Sequence, residues 1–179
     1  MPKLYKLMRV IPWLMLPLLP LPDYAAGTGN ANDIELRLRR LEDKEEIRAL
    51  LIEYGRTLDA RDFKAFSELF ARDAGTWDGG MGVAKGPDAI RKMMEDTIGK
   101  NTGGVRSPNF HLFDNEIITV DGGRATAVSK WSFVVQGEDK RPQWVYLGHY
   151  HDTFIKQDGH WKFLLRKVTS AIPGEPDNE

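Results

Sequence analysis

Tyr54-Gly55-Arg56-Thr57-Leu58-Asp59 closes the first long helical pattern of the chain and leaves a carboxylate where an apolar face ends. Upstream, Ile34, Leu38 and Leu41, then Ile47, Leu50, Leu51, Tyr54 and Leu58, recur at steps of three and four, the period of an amphipathic helix. Asp33 has the side chain to cap its start. Arg37, Arg40, Lys44, Glu45, Arg48 and Glu53 fall on the opposite face, a solvated surface of ion pairs with little energetic weight. Downstream, Asp62 to Phe70 carries an apolar stripe of Phe63, Phe66, Leu69 and Phe70. Only a few residues separate the two patterns, so the two helices are neighbours just after Asp59.

Working outward, Gly75-Thr76-Trp77-Asp78 reads as a short strand, Gly79 to Gly82 as a turn, and Val83-Ala84-Lys85 as the return. Gly86-Pro87 opens a third helix over Asp88–Ile98, with proline where its missing N–H does no harm and Gly99 at the stop. Lys100 to Pro108 is a glycine-rich polar loop, expected to form a rim or lid. Four long strands follow over Asn109–Val120, Arg124–Gln136, Gln143–Lys156 and His160–Ile172, joined by turn sequences such as Asp121-Gly122-Gly123 and Asp158-Gly159. Helices first and an antiparallel meander afterwards predict an α+β cone over residues 32–172. In it three N-terminal helices pack in the concave face of a curved, mainly antiparallel sheet, and residues 173–179 form a polar tail. The wide end of the cone would be lined by the end of the first helix, the Trp77 strand and one sheet face.

With 179 residues the chain suits one domain. Its 25 basic and 26 acidic residues give a net charge of -1, so no global field argues for nucleic acid. The absence of cysteine excludes disulfides, thiolate catalysis and thiolate metal sites. Residues 1–31 differ from the rest: Lys3, Lys6 and Arg9 precede the apolar run Val10 to Leu21, and small residues follow. That order predicts a secretory signal and a periplasmic or secreted protein without stable membrane insertion after processing. The run is shorter than the roughly 20 residues a spanning helix needs. A true start near Asp33 would instead make the protein cytoplasmic.

Asp59 and His111 are the candidate chemical pair. A histidine that moves protons needs a fixed tautomer, which a carboxylate on its other ring nitrogen supplies. The opposite polarity, with Asp59 as base in an apolar cup, is equally consistent with the residues. So is a simpler arrangement in which Asp59 ends its own helix through a turn hydrogen bond and His111 is a satisfied strand residue. Tyr54 could donate to a developing oxyanion. Trp77, Trp131 and Tyr150 are the candidate substrate-binding residues for a small hydrophobic molecule, with bulge positions deciding which aromatic side chains face inward. His149 and His151 share a strand face but lack a third ligand, so no metal is expected. No cofactor is expected either, and His160 lies in a turn.

Arg39 to Arg48, Tyr54 with Leu58 to Phe63, Leu69-Phe70-Ala71, Gly86 to Ile90 and Asp158 to Phe163 together resemble the SnoaL-like proteins of the nuclear transport factor 2-like superfamily. The resemblance covers Asp33 to about Ser170. It implies the cone fold and a homo-oligomer, dimer or trimer. Within the superfamily it points to the scytalone dehydratase, bile acid dehydratase and dehydrochlorinase branch, whose aspartate and histidine fall on Asp59 and His111 and whose tyrosine falls on Tyr54. Two further positions of the bile acid enzymes hold Val135 and Ser170 here, an aspartate and an arginine in that branch. The implied activity is that of a cofactor-free lyase or isomerase on a small alicyclic or aromatic substrate. The alternative is a non-catalytic binding or dimeric interaction protein of the same fold.

Overall fold

The computed structural model describes residues 30–99 and 108–174. Residues 1–29 of the expected signal segment 1–31, residues 100–107 of the expected lid and residues 175–179 of the tail lie outside the described residues.

Helix α1 runs unbroken over Ala31–Ala60, followed by α2 (Phe63–Ser67), β1 (Thr76–Gly79), β2 (Gly82–Lys85) and α3 (Pro87–Met94), which continues into a wider π turn over Glu95–Gly99. Strands β3 (Asn109–Asp121), β4 (Arg124–Gln136), β5 (Pro142–Gln157) and β6 (His160–Ile172) complete the chain. They form one open six-stranded sheet in the order β2-β1-β6-β5-β4-β3. Every ladder is antiparallel except β1 against β6. The sheet curves around the helices, giving the predicted α+β cone.

The core starts later along α1 than the apolar periodicity suggests. Ile34, Leu38 and Leu41 are 58%, 53% and 61% exposed, whereas Ile47, Leu50, Leu51, Tyr54 and Leu58 are buried. Residues 31–42 are all exposed, and the first side-chain bonds from the sheet reach the helix at Asp43, which accepts from Lys156 Nζ at 2.6 Å and Trp161 Nε1 at 2.9 Å. The start is also capped by Asn30, whose side chain accepts from the Asn32 N–H, rather than by Asp33. The α1 face from Ile47 onward packs with Phe66, Phe70, Phe154, Trp161 and Phe163 in a single cluster.

Two close approaches position the sheet. A Cβ on Gly55 would stand 2.5 Å from Phe113 Cε2, so the missing side chain lets α1 lie directly on β3. A Cβ on Gly148 would stand 1.9 Å from the Thr169 carbonyl oxygen and 2.7 Å from Trp131 Nε1. That gap lets the Trp131 indole cross β5 and donate to Thr169 O at 3.1 Å. Bulges then decide which side chains face inward. One extra residue on β3 between Asp114 and Ile117 shifts the register against β4, so His111 and Phe113 face the helices on one side of it and Ile118 on the other. Others fall between Phe133 and Val134 and between Thr153 and Phe154.

Candidate active site

Asp59 does not cap its own helix. The residue past the helix end, Arg61, takes a left-handed conformation at φ 61°. Its N–H bonds Leu58 O at 3.1 Å while the next N–H, of Asp62, bonds Thr57 O at 2.9 Å. This paired closure gives the Thr57 and Leu58 carbonyls backbone donors without using the Asp59 side chain. Asp62 then caps α2 by accepting from the Ala65 N–H at 3.0 Å. The Asp59 carboxylate is thereby left to reach across to β3.

There it meets three donors. Oδ2 accepts from the His111 backbone N–H at 2.9 Å, and Oδ1 from Asn109 Nδ2 at 2.7 Å. Oδ1 also lies 2.5 Å from His111 Nδ1. The two side chains are partly buried, 22% exposed for Asp59 and 11% for His111. The negative end of a helix disfavours a carboxylate, and these donors offset that cost. Against an acceptor-only carboxylate Nδ1 is the donor, and Nε2 is the ring nitrogen left facing away from Asp59. Nε2 bonds to nothing among the described residues. The His111 ring packs on Phe133 at 4.6 Å between centroids.

Asn109 has a partner behind it. Its Oδ1 accepts from Arg61 Nη2 at 3.2 Å, and Arg61 Nη1 donates to Leu58 O at 2.9 Å. The sequence contained the signal for Asn109, because it stands two residues before His111 and so shares its face of β3.

Tyr54, Trp77, Trp131 and Tyr150 lie deeper. Tyr54 is about 140° around α1 from Asp59, five residues away at 3.6 per turn. Its hydroxyl accepts from Trp77 Nε1 at 2.9 Å, and both residues are buried. Trp131 stacks on Tyr150, centroids 5.5 Å apart and planes at 25°. Burial pushes the Tyr54 hydroxyl above the ordinary tyrosine range despite the nearby Arg166 charge and the Trp77 bond, and it pushes Tyr150 well above. Both remain neutral phenols. The structure thus joins Asp59 to His111 and sets Tyr54 and Trp77 together in the core behind them.

The sequence reading gave no role to Arg166, which is fully buried. Its guanidinium pairs with Asp152 through two hydrogen bonds, Nε to Oδ1 at 2.8 Å and Nη2 to Oδ2 at 2.6 Å. It lies 4.0 Å from the Tyr54 ring centroid, 4.1 Å from Tyr150 and 4.3 Å from Phe163. Burial opposes the charge, but Asp152 outweighs it and holds the guanidinium pKa above that of a free arginine. Nη1 has no hydrogen-bond partner among the described residues.

The remaining histidines fall elsewhere. His149 and His151 sit 6.4 Å apart between ring centroids on β5, and His160 Nδ1 lies 3.3 Å from Glu46 Oε1 at the surface. Among the described residues no group of three or more His, Asp or Glu comes together as a metal site. Ser170 donates to Pro173 O at 2.9 Å. On the outer sheet face, opposite the dyad, Phe110, Leu112, Val134 and Trp144 line a groove of about 520 Å³.

An open, curved six-stranded sheet wrapped on helices is the nuclear transport factor 2-like fold. The chain belongs to the SnoaL-like family, whose domain model matches residues 39–167. No curated protein matches the chain. Among solved structures, a nuclear transport factor 2-like protein with a cystatin-like fold from Novosphingobium aromaticivorans is 26% identical with a TM-score of 0.71, over 86% of this chain and 94% of that one. A protein from the same bacterium named as a candidate scytalone dehydratase is also 26% identical, with a TM-score of 0.61 over 74% and 86% of the two chains. A candidate aromatic ring hydroxylase, again from that bacterium, is 22% identical with a TM-score of 0.60 over 73% and 90%.

Proposed function

We propose that this protein is a cofactor-free lyase or isomerase acting on a small hydrophobic alicyclic or aromatic substrate, with His111 as general base and Asp59 as its orienting anion. The observation that carries the reading is the 2.5 Å contact between Asp59 Oδ1 and His111 Nδ1, which turns Nε2 into the proton acceptor. The two other donors on Asp59 occupy its oxygens, which suits it to orient the ring rather than to act as base. In an elimination, Nε2 takes a proton from carbon and the C–H electron pair becomes the new double bond. The leaving group departs with its own bonding pair, as halide, or as water after imidazolium returns the proton to the departing oxygen. In an isomerisation the same proton returns to a second carbon. The likeness to a candidate scytalone dehydratase supports elimination of water as the first chemistry to test. Tyr54 then serves as a fixed support beneath the site together with Trp77, and Trp131 stacked on Tyr150 offers the aromatic floor.

A screen over hydroxylated, halogenated and keto alicyclic compounds tests this, run beside His111→Ala and Asp59→Asn. Loss of the base is expected to lower turnover about 10²- to 10⁴-fold. Equal turnover in both variants would remove the dyad from the mechanism.

The exposure of Phe110, Leu112 and Trp144 on the outer sheet face favours association there with a second copy. Light scattering on Trp144→Glu against the unsubstituted protein tests it, with a fall in mass expected. Export is proposed from residues 1–31 alone and is tested by the intact mass of protein recovered outside the cytoplasm.

A further inference from the structure

Asp59 is itself held in place, and the group that holds it is an amide with only one workable orientation. Arg61 offers only donors and the Asp59 carboxylate only acceptors. An asparagine side chain between them must therefore turn its oxygen to Arg61, 3.2 Å away, and its NH₂ to Asp59, 2.7 Å away. No other standard side chain of that length accepts from a guanidinium at one atom and donates to a carboxylate at the next. The left-handed backbone at Arg61 matters here, because it turns the chain at the end of α1 while Nη1 returns to Leu58 O. Arg61, Asn109, Asp59 and His111 thus form one directed chain, each hydrogen bond fixing the direction of the next.

We propose that Asn109 is a positioning residue for His111, acting through Asp59, and that Arg61 fixes the orientation of Asn109. Asn109 touches neither ring nitrogen of His111. It occupies one side of Oδ1, so that the carboxylate is held against rotation away from Nδ1. The consequence is a single neutral tautomer of His111, protonated on Nδ1 and open on Nε2. This rests on the reading of His111 as the base only for its catalytic meaning, since the tautomer is measurable without substrate.

The experiment is ¹⁵N NMR of the His111 side chain in the full chain, in unsubstituted protein, Asn109→Leu and Asn109→Asp. Asn109→Leu keeps approximate bulk without polarity, and Asn109→Asp keeps the shape while replacing the NH₂ donor by an acceptor. The unsubstituted protein should show one neutral form with the Nδ1 proton. Both variants should lose that single signature, Asn109→Leu by admitting the Nε2-protonated tautomer and Asn109→Asp by setting an oxygen against Oδ1 and turning the Asp59 carboxylate off Nδ1. Should Asn109→Leu fail to fold, Asn109→Asp decides alone. An unchanged tautomer in a folded variant would overturn the inference and leave the backbone N–H and Nδ1 of His111 to anchor Asp59. Once a substrate is found, Asn109→Leu should lower kcat by about tenfold or more with KM unmoved. A screen without turnover would sink the proposed reaction while leaving the tautomer result standing, so the two failures are distinguishable.

Discussion

Replacing Gly55 by alanine sets two effects of opposite sign against each other. Helix propensity alone favours alanine in a helix interior by about 1 kcal/mol. The structure argues otherwise, because the new Cβ would stand 2.5 Å from Phe113 Cε2 and 3.2 Å from Cζ. Carbon contacts settle at about 3.5–4.0 Å, so about 1 Å must be found by moving the ring or the helix. The ring has little room, with Tyr150 at 5.5 Å and Tyr54 at 6.2 Å between centroids and the Arg166 guanidinium 6.0 Å away. Overpacking of this kind costs about 1–3 kcal/mol. Gly55→Ala should therefore be neutral to about 2 kcal/mol less stable by urea unfolding. More tellingly, Gly55 is one turn before Asp59. A 1 Å lift of α1 from β3 would stretch the 2.5 Å contact with His111 beyond hydrogen-bond range, which the His111 tautomer reports. A variant stabilised by about 1 kcal/mol with the His111 signature intact would refute the reasoning.

Three other perturbations follow from the same coordinates. Gly148→Ala drives a Cβ into a backbone oxygen that cannot yield without breaking the β5–β6 ladder, so a loss of more than about 3 kcal/mol is expected by denaturant unfolding. Asp152→Asn leaves the Arg166 charge buried without its partner and should cost about 3–5 kcal/mol, whereas replacing both by apolar residues of similar volume should recover most of it, measured by the same titration. At Asp43, burial raises the pKa but the bonds from Lys156 and Trp161 outweigh it, so the folded-state carboxyl lies below the ordinary value. Its contribution is therefore present above the unfolded carboxylate pKa, about 3.9, and lost as pH falls through the lower folded value. Asp43→Asn should cost about 1–2 kcal/mol at pH 7, with the gap to the unsubstituted protein closing below about pH 4 in urea midpoints.

The sequence exposed the strands well because their ends carry chemistry of their own. Asp121-Gly122-Gly123 and Asp158-Gly159 punctuate the meander, and β4 and β6 run over the predicted residues. The burial of α1 was less legible. Ile34, Leu38 and Leu41 have the right period, but a period marks a face of a helix and says nothing about where a neighbour begins. Arg166 was hidden by a bulge. Trp161 and Phe163 face inward on β6, and strict alternation would send Leu165 after them. One extra residue against β5 puts Arg166 there instead, opposite Asp152. Asp59 and His111 were legible as types in the right elements. Their contact depends on the Gly55 approach and the backbone closure at Arg61, two features visible only in three dimensions.

The bond from the His111 N–H to Asp59 has a consequence for how activity is inferred across relatives. Strand β3 ends the sheet, and edge strands expose main-chain donors that attract unwanted partners. Asp59 covers one of these donors whatever side chain stands at position 111. Under the proposed mechanism, a lineage that abandons turnover therefore keeps a reason to retain the aspartate and none to retain the imidazole. In a descendant the carboxylate alone would be a relic of architecture, and only the histidine would testify to a living reaction.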